Sequence, residues 1–267
     1  MDKKAGAIHV MKTALFWVGF FALLFGYRLF GGHFTAGKSY LTMGVVLSLS
    51  SILLTFIFLR SERKTLRDIG LVWSDGTFGR LAFGTMAGVF TMGILLTVLV
   101  TLSPLGLAPI SNPDYFVGLV WAGLIFMALS LMEEIAFRAY PLIQITRSWG
   151  VRPAIYITSI VFAFYHGVDL GNLLGPGVWG LYFGLAAIKT KGIAWPVGFH
   201  FGLNWVQGLF GLKPEHVDPL WMVVPKEGDG LFATDILGVV LQWLLLILGV
   251  VLIEWHIKSS SDPTATS

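Results

Sequence analysis

The sequence predicts an all-α, polytopic membrane bundle of about eight spanning helices around a central polar cavity. Three observations carry that prediction. Charged residues make up only 12% of the chain against 55% hydrophobic, with a mean hydropathy of +0.77, whereas a soluble domain carries about 25% charged residues. Apolar runs recur at close to the roughly 20 residues that a helix, rising about 1.5 Å per residue, needs to cross a hydrocarbon core of about 30 Å. Basic residues gather in alternate connections, as cytoplasmic loops do.

The first run, 11–31, follows a basic start and is not closed by a small-residue cleavage site, so a retained signal-anchor span is expected. Runs at 40–59, 78–102 and 115–137 are each long enough to span. Those at 153–166 and 177–189 are short and edged by glycine, and 192–211 and 234–255 complete the set. Lipid offers no partner to an open strand edge, and these runs are too long for barrel strands, so helices are the choice. With the N-terminus inside, only Arg28, Lys38, Lys213 and Lys226 of the 18 basic residues fall outside. Both termini are then cytoplasmic, and the acidic 211–233 loop is external. SERKTLRDIGLVW (61–73) is amphipathic and is expected to lie on the inner surface. The whole reads as one transmembrane domain over 1–258 and a disordered polar tail over 259–267.

The composition also excludes chemistry. Without cysteine there is no disulfide, thiolate nucleophile or Cys-based metal site. No basic stripe with interleaved aromatics points to nucleic acid. What remains is a set of polar residues in apolar surroundings. Glu133 and Glu134 stand in LVWAGLIFMALSLMEEIAFRAYPL, His166 ends IYITSIVFAFYH, and His200 lies in IAWPVGFHFGLNWVQGLF. A charge near the bilayer centre costs roughly 2.5–3.5 kcal/mol even on the mildest scale, so such groups face the bundle interior and act there.

Spacing assigns partners. Glu134 and Arg138 are i,i+4 and share a face, whereas Glu133 points about 100° away. One guanidinium serves one carboxylate well, which leaves Glu133 as the candidate base. Phe162 lies one turn below His166, and His200 and Asn204 form a second i,i+4 pair. If the fourth helix continues to Arg147, Glu133 and His166 each lie 14 residues from an inner basic residue, roughly 21 Å in. Pro141 argues for an earlier end.

Glutamate with histidine takes a proton from water, and histidine with asparagine donates to a developing oxyanion. That is peptide hydrolysis without a nucleophilic side chain. Two other readings stay open. Glu133, His166 and His200 could hold zinc with water in the fourth position, and buried Glu and His could form a proton relay in a non-catalytic scaffold or transporter. No HExxH or GxSxG motif is present.

The patterns EExxxR (Glu133–Arg138), FxxxH (Phe162–His166) and HxxxN (His200–Asn204), in this order and each on an apolar run, resemble the CAAX-protease and bacteriocin-processing family of intramembrane endopeptidases. The resemblance covers roughly 115–210. It implies an eight-helix bundle, Glu133 as base with His166 as its partner, and His200 with Asn204 as oxyanion site. Glu134, Arg138 and Phe162 would support them. No cofactor is favoured, with zinc as the alternative. The implied partners are the bilayer and a membrane-associated peptide or protein, prenylated or a small peptide, at a cell membrane. The glycine-rich 167–184 stretch is expected to cap the polar cavity.

Overall fold

The computed structural model describes residues 3–30, 36–226, 228 and 230–260. Its helices are α1 (Lys3–Phe30), α2 (Ala36–Ser61), α3 (Thr77–Leu102), α4 (Tyr115–Glu134), α5 (Tyr140–Trp149), α6 (Val151–His166), α7 (Leu170–Leu174), α8 (Pro176–Thr190), α9 (Ala194–Leu209) and α10 (Thr234–Ser260). Five stretches are long and apolar enough to cross a membrane: Gly6–Phe30, Ser39–Ser61, Thr77–Leu102, Gly118–Trp149 and Thr234–Ser260. The chain is a multi-pass membrane protein. The expected runs at 153–166, 177–189 and 192–211 form α6, α8 and α9, of 16, 15 and 16 residues. At about 1.5 Å per residue these fall short of a full core thickness. They are also the more buried elements, in contrast to the lipid-ready exteriors of α1, α3 and α10. A helix apolar on all sides and buried belongs in the middle of a bundle.

Several boundaries differ from expectation. The fourth run does not end at 137: α4 passes through a π-helical turn, Ile135–Ala139, into α5 and ends at Trp149. Pro141 is accommodated in the first turn of α5, where its missing N–H does least harm. α1 starts earlier than expected, at Lys3, and α10 runs through Ser260, into the expected tail; residues 31 and 261–267 lie outside the described residues. The connections at 103–114 and 210–233 are not plain loops. They supply β1 (Leu105–Pro109) and β2 (Trp221–Pro225), an antiparallel ribbon with Leu107 opposite Val223.

The segment 61–73 carries a 3-10 turn at Leu66–Ile69, opened by a Thr65–Asp68 capping box and buried at Ile69. Gly70, at φ +68°, abuts the Lys191 carbonyl, where a Cβ could not fit.

α3 packs closely against α9. Gly84 and Gly88 face the carbonyls of Trp195 and Phe199, while Gly198 and Gly202 face those of Leu81 and Thr85. A Cβ at any of the four would run into backbone. Two small-xxx-small pairs therefore interlock, as membrane helices do when packing rather than water exclusion drives association. This contact fixes the depth of α9 and with it His200 and Asn204.

Candidate active site

Glu133 and Glu134 are the last two residues of α4, and the π turn begins at the next residue. Such single π turns are rare and cluster at functional sites. Pro141 has no N–H to return to the preceding turn, so in the π register the Ala136 carbonyl loses its helical donor. Trp17 of α1 replaces it, its Nε1–H donating to Ala136 O at 3.2 Å.

The π turn carries Arg138 into the interior, where it is 1% exposed. Its Nη1 lies 3.4 Å from Glu134 Oε1. The guanidinium stacks over the Phe162 ring at 4.2 Å and approaches Phe183 at 5.2 Å. A desolvated cation over aromatic faces gains about 2 kcal/mol. Room comes from Gly180, where a Cβ would stand 3.1 Å from Arg138 Nη2 and 3.0 Å from Ser159.

Glu134 Oε1 has a second partner, His200 Nδ1 at 2.9 Å. An ionised carboxylate only accepts, so Nδ1–H donates. The imidazole stacks on Phe183, with centroids 4.4 Å apart and planes 18° from parallel, and meets Phe162 edge-on. Its Nε2 lies 3.5 Å from Glu133 Oε2. Glu133 Oε2 and Glu134 Oε2 are buried without a hydrogen-bond partner among the described residues. His200 thus bridges two adjacent carboxylates. The sequence expectation paired it with Asn204 and paired Glu133 with His166; this bridge was not anticipated.

His166 closes α6. Its Nδ1 is 3.0 Å from the Phe162 carbonyl. A carbonyl cannot donate, so Nδ1 carries the proton and Nε2 is left with its lone pair. Phe162 and Tyr165 hold the ring edge-on at 4.7 and 4.9 Å.

A cavity of about 570 Å³ is lined by Glu133, His166, His200 and Asn204 together. Tyr165, whose hydroxyl faces Glu133, and Gln207 share its wall. Gly175 and Pro176, within the stretch expected to cap the cavity, form part of the lining. Its rim includes Arg28, Tyr40, Lys213, Glu215 and His216. His216 stacks on Tyr40 at 4.1 Å, with Nδ1 2.7 Å from Glu215 Oε1. Burial, aided by Lys213, holds the His216 imidazole below its ordinary value against the opposing pull of Glu215.

Among the described residues, no group of three or more His, Cys, Asp or Glu side chains is gathered to hold a metal ion. Glu133, His166 and His200 as arranged do not fit a zinc centre.

Sequence reasoning passed over Tyr165 and Phe183, and read Gly180 only as part of the glycine-rich stretch expected to cap the cavity. Tyr165 adjoins His166, and Phe183 lies three residues after Gly180 on the same face. Both signals are present, but an aromatic or glycine in an apolar run does not stand out as a charge does.

Residues 114–206 match the family model described as Rce1-like, type II CAAX prenyl endopeptidase Rce1-like. The matched segment starts at α4, ends within α9, and contains Glu133, Glu134, Arg138, Phe162, His166, His200 and Asn204. No curated protein matches the chain.

Proposed function

We propose that the chain is an intramembrane endopeptidase that cleaves a peptide bond of a membrane-associated substrate with water activated by Glu133. The observation that carries this reading is the unequal commitment of two neighbouring buried carboxylates. Glu134 gives one oxygen to both Arg138 and His200. Glu133 lines the cavity, and its Oε2, 3.5 Å from His200 Nε2, makes no hydrogen bond. The first is held; the second is available to a reactant. The match of residues 114–206 to the CAAX endopeptidase family supports the same reaction class.

In this reading eight segments cross the bilayer, α4 and α5 counting as one. The short α6, α8 and α9 are shielded by longer neighbours. Both termini are cytoplasmic, and the cavity lies at mid-depth.

A substrate carbonyl enters beside Asn204. Glu133 takes one proton from water, which His166 Nε2 helps to orient, and the oxygen attacks the carbonyl carbon. The resulting oxyanion accepts hydrogen bonds from the Asn204 amide and from His200 Nε2–H in its doubly protonated form. His200 Nδ1–H stays on Glu134. The proton on Glu133 then passes to the amide nitrogen as the C–N bond breaks, releasing an amine and a carboxylic acid. Arg138, Glu134 and Phe162 position the reacting groups without touching the substrate.

The test is purified protein in nanodiscs with a quenched-peptide panel that includes prenylated CAAX peptides and unmodified membrane peptides. Glu133→Gln keeps the shape but accepts no proton, so cleavage should vanish while the monodisperse folded fraction survives. Wild-type turnover by that variant on a substrate the protein demonstrably cleaves would overturn the reading.

A further inference from the structure

The cavity holding Glu133, His166, His200 and Asn204 is reached from one end of the bundle. That end is built by Arg28 near the end of α1, Tyr40 early in α2, the α7–α8 junction at Gly175 and Pro176, and the α9–β2 connection at Lys213, Glu215 and His216. The opposite ends of these and neighbouring helices carry the bulk of the positive charge. Arg60 closes α2, Arg80 lies in the first turn of α3, Arg147 ends α5, Arg152 opens α6, and Lys189 and Lys191 end α8.

Contacts bring those ends to one level. Lys12 and Lys64 both pair with Glu62, Gly70 abuts the Lys191 carbonyl, and Arg152 pairs with Glu254. Two further cavities lie at this basic end, of about 880 and about 340 Å³. Neither is lined by Glu133, His166, His200 or Asn204. The site is therefore approached from the end away from the basic loops.

Basic loops are retained on the cytoplasmic side. We infer that the cavity opens on the extracytoplasmic face, and that its substrate is a membrane-anchored peptide or polypeptide whose scissile bond is presented from that face. A cytosolic protein with a lipidated C-terminus would meet the wrong end. The identification of the ligand as a peptide substrate rests on the peptidase reading; the sidedness does not.

The absence of cysteine makes a direct test available. Single cysteines are introduced as Met43→Cys in the cavity wall, Asp218→Cys on the exposed rim connection, and Asp75→Cys on the exposed basic end. Gln207→Cys serves as a second cavity probe if Met43→Cys fails to accumulate. The protein is expressed in a bacterial plasma membrane. Right-side-out spheroplasts and inside-out vesicles are treated with a charged, membrane-impermeant methanethiosulfonate, and the remaining thiol is counted by a maleimide-PEG gel shift.

Met43→Cys and Asp218→Cys should react several-fold faster in spheroplasts, and Asp75→Cys several-fold faster in inside-out vesicles. Faster reaction of the cavity probe in inside-out vesicles, or its protection in both preparations, overturns the inference. The labelling needs no turnover, so reversed labelling leaves the peptidase reading intact. Full activity in Glu133→Gln would instead sink that reading and leave the sidedness standing.

Discussion

Two buried acidic sites lie along the α4–α5 helix, and they are finished to different degrees. At the basic end, Glu62 accepts from Tyr140 Oη at 2.7 Å, from Gln144 Nε2 at 2.8 and 3.0 Å, and from Lys64 and Lys12 at 3.2 and 3.4 Å. Both of its oxygens are taken, and the contacts tie α1, the end of α2 and α5 together. Midway along the α4–α5 helix, Glu134 has two partners on one oxygen and none on the other, while Glu133 Oε2 has no hydrogen bond. A satisfied carboxylate stabilises because it has no lone pair left to offer. An unsatisfied one costs about 1–3 kcal/mol or more per group, and that cost is tolerated where the group has a reactant to meet. The clamp holds the fold, and the cluster is the one proposed to serve the chemistry.

That contrast is broken most easily at Glu133. Glu133→Gln should lower cleavage by about 10²–10⁴-fold or more, with little loss of thermal stability, and His166→Ala should be nearly as severe. Equal loss of activity in Glu62→Gln, assayed in the same nanodiscs, would erase the distinction between the sites. Next comes Arg138→Ala, which strands Glu134 beside His200 and should cost about 3–5 kcal/mol of stability. The readout is the melting temperature in detergent. Removing Glu134 as well, in Glu134→Gln/Arg138→Ala, should recover part of it, since no uncompensated charge then remains. Asn204→Ala sharpens the catalytic side: losing one oxyanion donor should lower kcat by about 10²–10³-fold with an unchanged melt.

How far these sites were readable from sequence follows from how each is assembled. Glu133, Arg138, His166 and His200 stand out because a charged or titratable group in an apolar run is conspicuous. Their pairings are less so. Glu134 meets His200 across 66 positions, and the Trp17 indole that lets α5 continue past Pro141 reaches Ala136 across 119. Proline therefore reads as a stop until its remote compensation is known. The spacing Gly84-xxx-Gly88 and Gly198-xxx-Gly202 is plain in the sequence, yet only packing reveals that the two motifs face each other. β1 and β2 are five residues each and pair through distant connections, so no local hairpin signal marks them. Glu62 illustrates the opposite error. SERKTLRDIGLVW suggests a solvated inner surface, and its one buried glutamate is set by Tyr140, 78 positions later.

The smallest expected effect belongs to the clamp. Burial alone would push the Glu62 carboxyl up, but the Tyr140, Gln144 and Lys64 hydrogen bonds and the Lys12 charge bring it down from 4.5 to about 2. A carboxyl depressed in the folded state binds its proton more readily once unfolded, so acid favours unfolding. The stabilisation is complete above about pH 4.5 and fades as pH falls through that value toward about 2. Glu62→Gln and Tyr140→Phe each remove part of it. Their melting temperatures should lie modestly below wild type at pH 7 and converge on wild type as the buffer is taken below pH 4, while cleavage at pH 7 is retained. A gap that instead widens on acidification would mean that Glu62 is stabilising in its protonated form, and the contrast between a finished clamp and a reactive cluster would lose its physical basis.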